Sequence, residues 1–128
     1  MAKKILVIDD DADFTEAITT LLEAKGYEVA SASKGEDGFG LAKSSCPDLI
    51  MLDVMMARKT EGFDIAVSLK KNEKTKSIPV IMVTGIKKEM NLPFGFEPDE
   101  DWLPVKAVLE KPVKPETLLK AIADNIGK

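Results

Sequence analysis

The chain contains no histidine and one cysteine, Cys46, among its 128 residues. The first absence removes Ser-His and Cys-His nucleophilic catalysis and histidine-ligated metals. The second excludes an intramolecular disulfide and a thiolate zinc cluster, and a reducing cytoplasm is the expected home. No apolar run approaches the roughly 18 residues that a membrane span needs. Met1-Ala2-Lys3-Lys4 leads into a short apolar run that stops at an acidic cluster, too short for the core of a signal peptide. Neither membrane insertion nor export is expected. Positive charge is in deficit, with 18 Lys plus Arg against 22 Asp plus Glu and a net charge of −4. A domain that works by neutralising nucleic-acid phosphates carries the opposite balance, so direct nucleic-acid binding is not expected.

What is present is a globular composition, 45% apolar and 31% charged. The length suits a single domain over residues 1–128 with no output domain appended. Ile5–Ile8, Leu49–Leu52, Val80–Val83 and the weaker Ala107–Leu109 are short continuous apolar segments, the pattern of parallel strands buried on both faces. Tyr27–Ala32 is more mixed and suits an edge strand. Helical patterns lie between them. Phe14, Ala17, Ile18, Leu21 and Leu22 recur at three-and-four spacing, with Gly26 placed for a left-handed C-terminal cap. Glu36–Ser44 forms a second helix ended before Pro47. A third is marked by Phe63, Ala66, Val67 and Lys70, and a last by Leu118, Leu119, Ile122 and Ile126 with Pro115 in its first turn. This alternation predicts an open parallel sheet with helices on both faces. Asn91–Pro104 breaks the rhythm, since three prolines in fourteen residues cannot occupy one regular helix. A loop or a short helical turn is expected there.

In doubly wound sheets, ligands bind beyond the carboxyl ends of the strands. Asp9 and Asp10 follow the first strand, Asp53 ends the third, Thr84 the fourth and Lys111 the fifth. Three carboxylates, a hydroxyl and an ammonium are thus expected in one crevice. Two carboxylates about 4 Å apart repel by roughly 4 kcal/mol at an effective dielectric near 20. A third requires either a held proton or a bound cation. An all-oxygen donor set with few carboxylates suits Mg²⁺, commonly completed by a phosphate. Lys111 and Thr84 would then orient a phosphoryl group while a carboxylate attacks phosphorus, giving an acyl phosphate. A flavin or nucleotide phosphate is disfavoured, because Asp9-Asp10-Asp11 stands where a Gly-, Ser- or Thr-rich loop would be needed.

Together "ILVIDD" (5–10), "PDLIMLDVMM" (47–56), "IPVIMVTG" (78–85) and "LEKPV" (109–113) resemble the receiver domains of two-component response regulators, in family order and over nearly the whole chain. The resemblance implies a flavodoxin-like, three-layer α/β/α sandwich with a five-stranded parallel sheet of order 2-1-3-4-5. It implies that Asp53 is the phosphoacceptor, that Asp9 and Asp10 hold Mg²⁺ (or Mn²⁺) with Asp53 and the Met55 backbone carbonyl, and that Thr84 and Lys111 contact the phosphoryl group. The implied donor is a phosphohistidine on a sensor histidine kinase or histidine phosphotransfer protein. The domain would catalyse its own phosphorylation and slow dephosphorylation and is not otherwise expected to be an enzyme.

The sequence departs from the family pattern after Asp53, where Ala57 replaces a common proline, and between Thr84 and Lys111. There the helix between the fourth and fifth strands is expected to be shortened or replaced by a loop. Val108 stands where the family's switch aromatic normally sits, and it has no ring to swing inward. Phe94, Phe96 and Trp102 are the candidate output surface for a downstream protein. Met55 and Ile86, at the positions that tune hydrolysis in the family, are apolar and cannot orient a water, so slow autodephosphorylation is expected. Two functions stay open: a phosphorylatable signalling protein or relay intermediate, and a phosphorylation-independent interaction module on the same fold.

Overall fold

The computed structural model describes residues 3–53, 61–84, 107–110 and 113–126. Its elements run in the order β1 (Lys4–Ile8), α1 (Ala12–Ala24), β2 (Glu28–Ala32), α2 (Gly35–Ser45), β3 (Leu49–Asp53), α3 (Glu61–Lys71), β4 (Val80–Thr84), β5 (Ala107–Glu110) and α4 (Pro115–Asn125). The strands form one five-stranded sheet of order β2-β1-β3-β4-β5, and every neighbouring pair is parallel. This is the expected topology. The four continuous apolar segments are all strands, each one residue longer than its apolar run. In β3 and β4 that added residue is Asp53 and Thr84, so both belong to the ladder itself.

Strands β1 and β3 are central and buried on both faces, which is why their sequences are apolar at every position except Lys4, which begins β1, and Asp53, which ends β3. Alternate residues feed two separate cores. Leu6 and Ile8 of β1 join Ile50 and Leu52 of β3 beneath α2 and α3, while Ile5 and Val7 join Leu49 and Met51 beneath α1 and α4. Strand β2 is one edge of the sheet and β5 the other, and the mixed sequence of β2 matches its half-exposed burial.

Helix α1 starts at Asp11, whose carboxylate accepts from the Phe14 N–H at 3.1 Å. It buries Ile18 and Leu22 and stops at Gly26, whose φ of 92° is the left-handed conformation the cap requires. Helix α2 ends on Cys46 in the same region of backbone space, at φ 46°, just before Pro47. The face of α3 is a correction to the sequence reading. Ile65, Ala66 and Leu69 face the core, Val67 is half-buried and Lys70 is exposed. The apolar stripe is set by the four-residue spacing of Ile65 and Leu69, one position round from the stripe expected through Lys70. The connection after α3 is secured by Thr75, a buried residue whose hydroxyl donates to the Leu69 carbonyl at 2.5 Å. Helix α4 begins with Pro115 and buries Leu118 and Ile122. The expected loop at Asn91–Pro104, and with it the fate of a helix between β4 and β5, lies outside the described residues.

Candidate functional site

The carboxyl ends of β1 and β3 lie side by side because these strands are direct neighbours, with Ile8 level with Leu52. The next residue along the chain is an aspartate in both cases, Asp9 just after β1 and Asp53 at the end of β3, and each is only 4% exposed. Asp10 follows on the exposed side of the turn. Carboxylate oxygens of Asp9, Asp10 and Asp53 all lie within 4.8 Å of one another. Chain topology, not local sequence, makes this cluster: the two strands that carry it are 44 residues apart (9 to 53) and become neighbours only through the crossover of α1, β2 and α2.

Asp9 is fixed through both its backbone and its side chain. Its N–H donates to the Ala32 carbonyl at 3.0 Å, which joins the top of β1 to the end of β2. Its carboxylate Oδ1 accepts from the Asp11 N–H at 2.8 Å. Asp11 then turns its own carboxylate to the first turn of α1, so one short loop both orients a site residue and starts a helix. The sequence reading counted Asp11 only as added negative charge. An aspartate directly before the helix, three residues ahead of Phe14 where the periodic apolar set begins, is the signal that identifies its capping role.

Thr84 is the last residue of β4, and its backbone pairs level with Glu110 of β5. Since Asp53 is level with Val83, Thr84 belongs to the same end of the sheet as the three carboxylates. Val108 sits within β5, level with Met82. Lys111, the residue after Glu110, lies outside the described residues, as do Met55, Ala57, Ile86, Phe94, Phe96 and Trp102.

Three carboxylates converging on one point, two of them nearly fully buried, concentrate negative charge where water is scarce. Such a set is stabilised by a small hard cation with oxygen preference and has no soft donor to favour other metals. The donor set therefore fits Mg²⁺ or Mn²⁺. No helix among the described residues is long and apolar enough to cross a membrane.

The model of the response regulator receiver domain matches residues 5–123, and the chain belongs to that family. It is thus a signalling module of the two-component type. Protein PilH of Pseudomonas aeruginosa is 35% identical over 119 residues, which cover 93% of each chain. The DNA-binding dual master transcriptional regulator RpaA of Synechocystis is 36% identical over 93% of this chain, which spans only about half, 47%, of that relative's length. Among solved structures, the receiver domain of sensor histidine kinase PA1611 from Pseudomonas aeruginosa PAO1 superposes with a TM-score of 0.82 and 20% identity, each chain covered completely. That structure holds a magnesium ion coordinated in its active-site cleft.

Proposed function

We propose that residues 1–128 act as one receiver domain that takes a phosphoryl group from a phosphohistidine onto Asp53 and signals by protein contacts. The observation that carries this reading is the Asp9, Asp10 and Asp53 cluster, within 4.8 Å at the carboxyl ends of the two central strands. A carboxylate Oδ of Asp53 attacks phosphorus as the P–N bond to the donor imidazole breaks. The electron pair leaves with that nitrogen, which takes up a proton, and an acyl phosphate remains on Asp53. The donor is a sensor histidine kinase or a histidine phosphotransfer protein, which agrees with the absence of histidine from this chain. The setting is the cytoplasm.

Asp9 and Asp10, with Asp53 and the Met55 backbone carbonyl, are the residues that would hold Mg²⁺ or Mn²⁺. The bound cation supplies the positive charge without which an anionic phosphoryl group cannot approach three carboxylates. The magnesium ion in the PA1611 receiver domain supports this assignment. Asp9 keeps its orientation through the Asp11 and Ala32 hydrogen bonds. Thr84 and Lys111 are assigned to the phosphoryl oxygens, by hydroxyl donation and by charge. Met55 and Ile86 offer no hydrogen bond to a hydrolytic water, so the acyl phosphate is expected to be long-lived. Output falls to the segment with Phe94, Phe96 and Trp102. A net charge of −4 argues against direct nucleic-acid binding.

Val108 favours a second reading, a phosphorylation-independent interaction module, since no aromatic ring at that position can follow Thr84. Incubation with acetyl phosphate, with and without Mg²⁺, followed by intact mass measurement separates the two. The expected result is a single Mg²⁺-dependent phosphoryl adduct that Asp53→Asn abolishes. No adduct from acetyl phosphate or from phosphorylated kinases would leave the interaction module as the better account.

A further inference from the structure

Helix α2 contains three glycines, and two of them, Gly35 and Gly38, are among its buried residues. At Gly38 the absence of a side chain is a packing requirement. A Cβ there would fall 2.5 Å from Cδ1 of Ile8, 2.6 Å from its Cγ1 and 2.9 Å from its Cγ2. At Gly40, in the same helix, a Cβ would meet nothing within 4 Å. Ile8 is completely buried, so it has no open space to retreat into. Because it is β-branched, rotation about χ1 only exchanges one branch for another at the point of contact.

Ile8 directly precedes Asp9. A larger residue at position 38 could be relieved in two ways. Ile8 could move, carrying the end of β1 and Asp9 with it. Alternatively the first turns of α2 could lift from the sheet. That would pull on the short β2–α2 connection, which begins at Ala32, the residue whose carbonyl holds the Asp9 N–H at 3.0 Å. Both routes end at the same aspartate. The second is open because Lys34, the N-cap of α2, makes no side-chain hydrogen bond to the helix.

We infer that Gly38 is a positioning residue for the acidic cluster: by letting Ile8 fill the space beneath α2, it fixes where Asp9 stands relative to Asp10 and Asp53. This inference rests on the proposed reading of that cluster as the cation and phosphoryl site.

The test compares Gly38→Ala, Gly40→Ala and the double variant Ile8→Ala/Gly38→Ala with the unmodified chain. Mn²⁺ and Mg²⁺ affinity, the acetyl phosphate adduct and amide hydrogen exchange are all measured. Gly38→Ala is expected to lower cation affinity about tenfold, as loss of support for a ligand typically does. Its adduct formation should be slow at limiting Mg²⁺ and recover at saturating Mg²⁺. Exchange should accelerate at the Asp9 and Asp11 amides ahead of the rest of the sheet. Gly40→Ala should bind cation as the unmodified chain does. Ile8→Ala removes all three clashing atoms, so the double variant should regain most of the lost affinity. Unchanged affinity in Gly38→Ala, or acceleration spread evenly over all amides, would overturn the inference. Should Gly38→Ala fail to fold, a folded double variant with restored affinity supports the inference, and a folded one without it does not. An unmodified chain that binds no cation and forms no adduct would overturn the reading of the site itself, and the inference with it.

Discussion

Helices α1 and α2 cover opposite faces of the same central strand and are held by opposite means. Helix α1 is anchored by features of its own sequence: the Asp11 cap, the large buried residues Ile18 and Leu22, and a terminal glycine in the left-handed region. Helix α2 lacks a side-chain cap, and its buried residues are Gly35, Gly38 and Ala42, none larger than alanine. What α2 gives up in side-chain volume it recovers in close approach, with β1 supplying Ile8 to fill the gap. The first helix carries the signals for its start, its buried face and its end in its own sequence. The second is specified by fit, so its tolerance depends on what lies beneath it.

That contrast can be broken most forcefully in α1. Leu22 is completely buried, and Leu22→Ala should cost about 2–5 kcal/mol in denaturant unfolding. A loss below about 1 kcal/mol, less than a deleted side chain of that size warrants, would mean that α1 is not anchored by its core face. Asp11→Ala is the next largest change. It should remove about 1 kcal/mol as the cap of α1 is lost, and equal stability of variant and parent would deny the cap its role. The smallest effect sharpens the comparison from the other side. Gly40→Ala should raise stability by about 0.5–1 kcal/mol through helix propensity alone. A destabilised Gly40→Ala would show that the close fit of α2 extends beyond Gly38.

The sequence reveals those parts of the molecule that depend on neighbours along the chain. The continuous apolar runs at Ile5–Ile8 and Leu49–Leu52 mark central strands because strands buried on both faces cannot afford polar positions. The mixed run after Tyr27 marks an edge for the converse reason. Asp9, Asp10 and Asp53 are legible as site candidates because each stands at or just after the end of such a run. Their meeting is legible only through a rule of the whole fold, that doubly wound sheets gather strand-end residues in one crevice. The particular order that sets β1 beside β3 came from the family resemblance. The stripe of α3 was misassigned because Val67 and Lys70 fit a helical spacing as well as Ile65 and Leu69 do, and only packing distinguishes them. Gly38 is the clearest case of information absent from local pattern. In a segment of helical character it reads as a weak helix former, and nothing nearby names Ile8, thirty positions earlier (38 less 8), as its counterpart. The Thr75 hydroxyl, bonded to the Leu69 carbonyl inside a turn, is equally silent in the sequence.

Strands β1 and β3 have a strand on each side and a core on each face, so the amides by which they pair with each other should open only when the whole domain unfolds. Asp9 directly follows the last residue of β1, and Asp53 is the last residue of β3. The acidic cluster thus inherits the longest-lived part of the molecule as its base, while the edge strand β2 can fray on a much shorter timescale. A slow clock at the base and a fast one at the margin would let a domain of this size change its surface without losing the geometry of its clustered carboxylates.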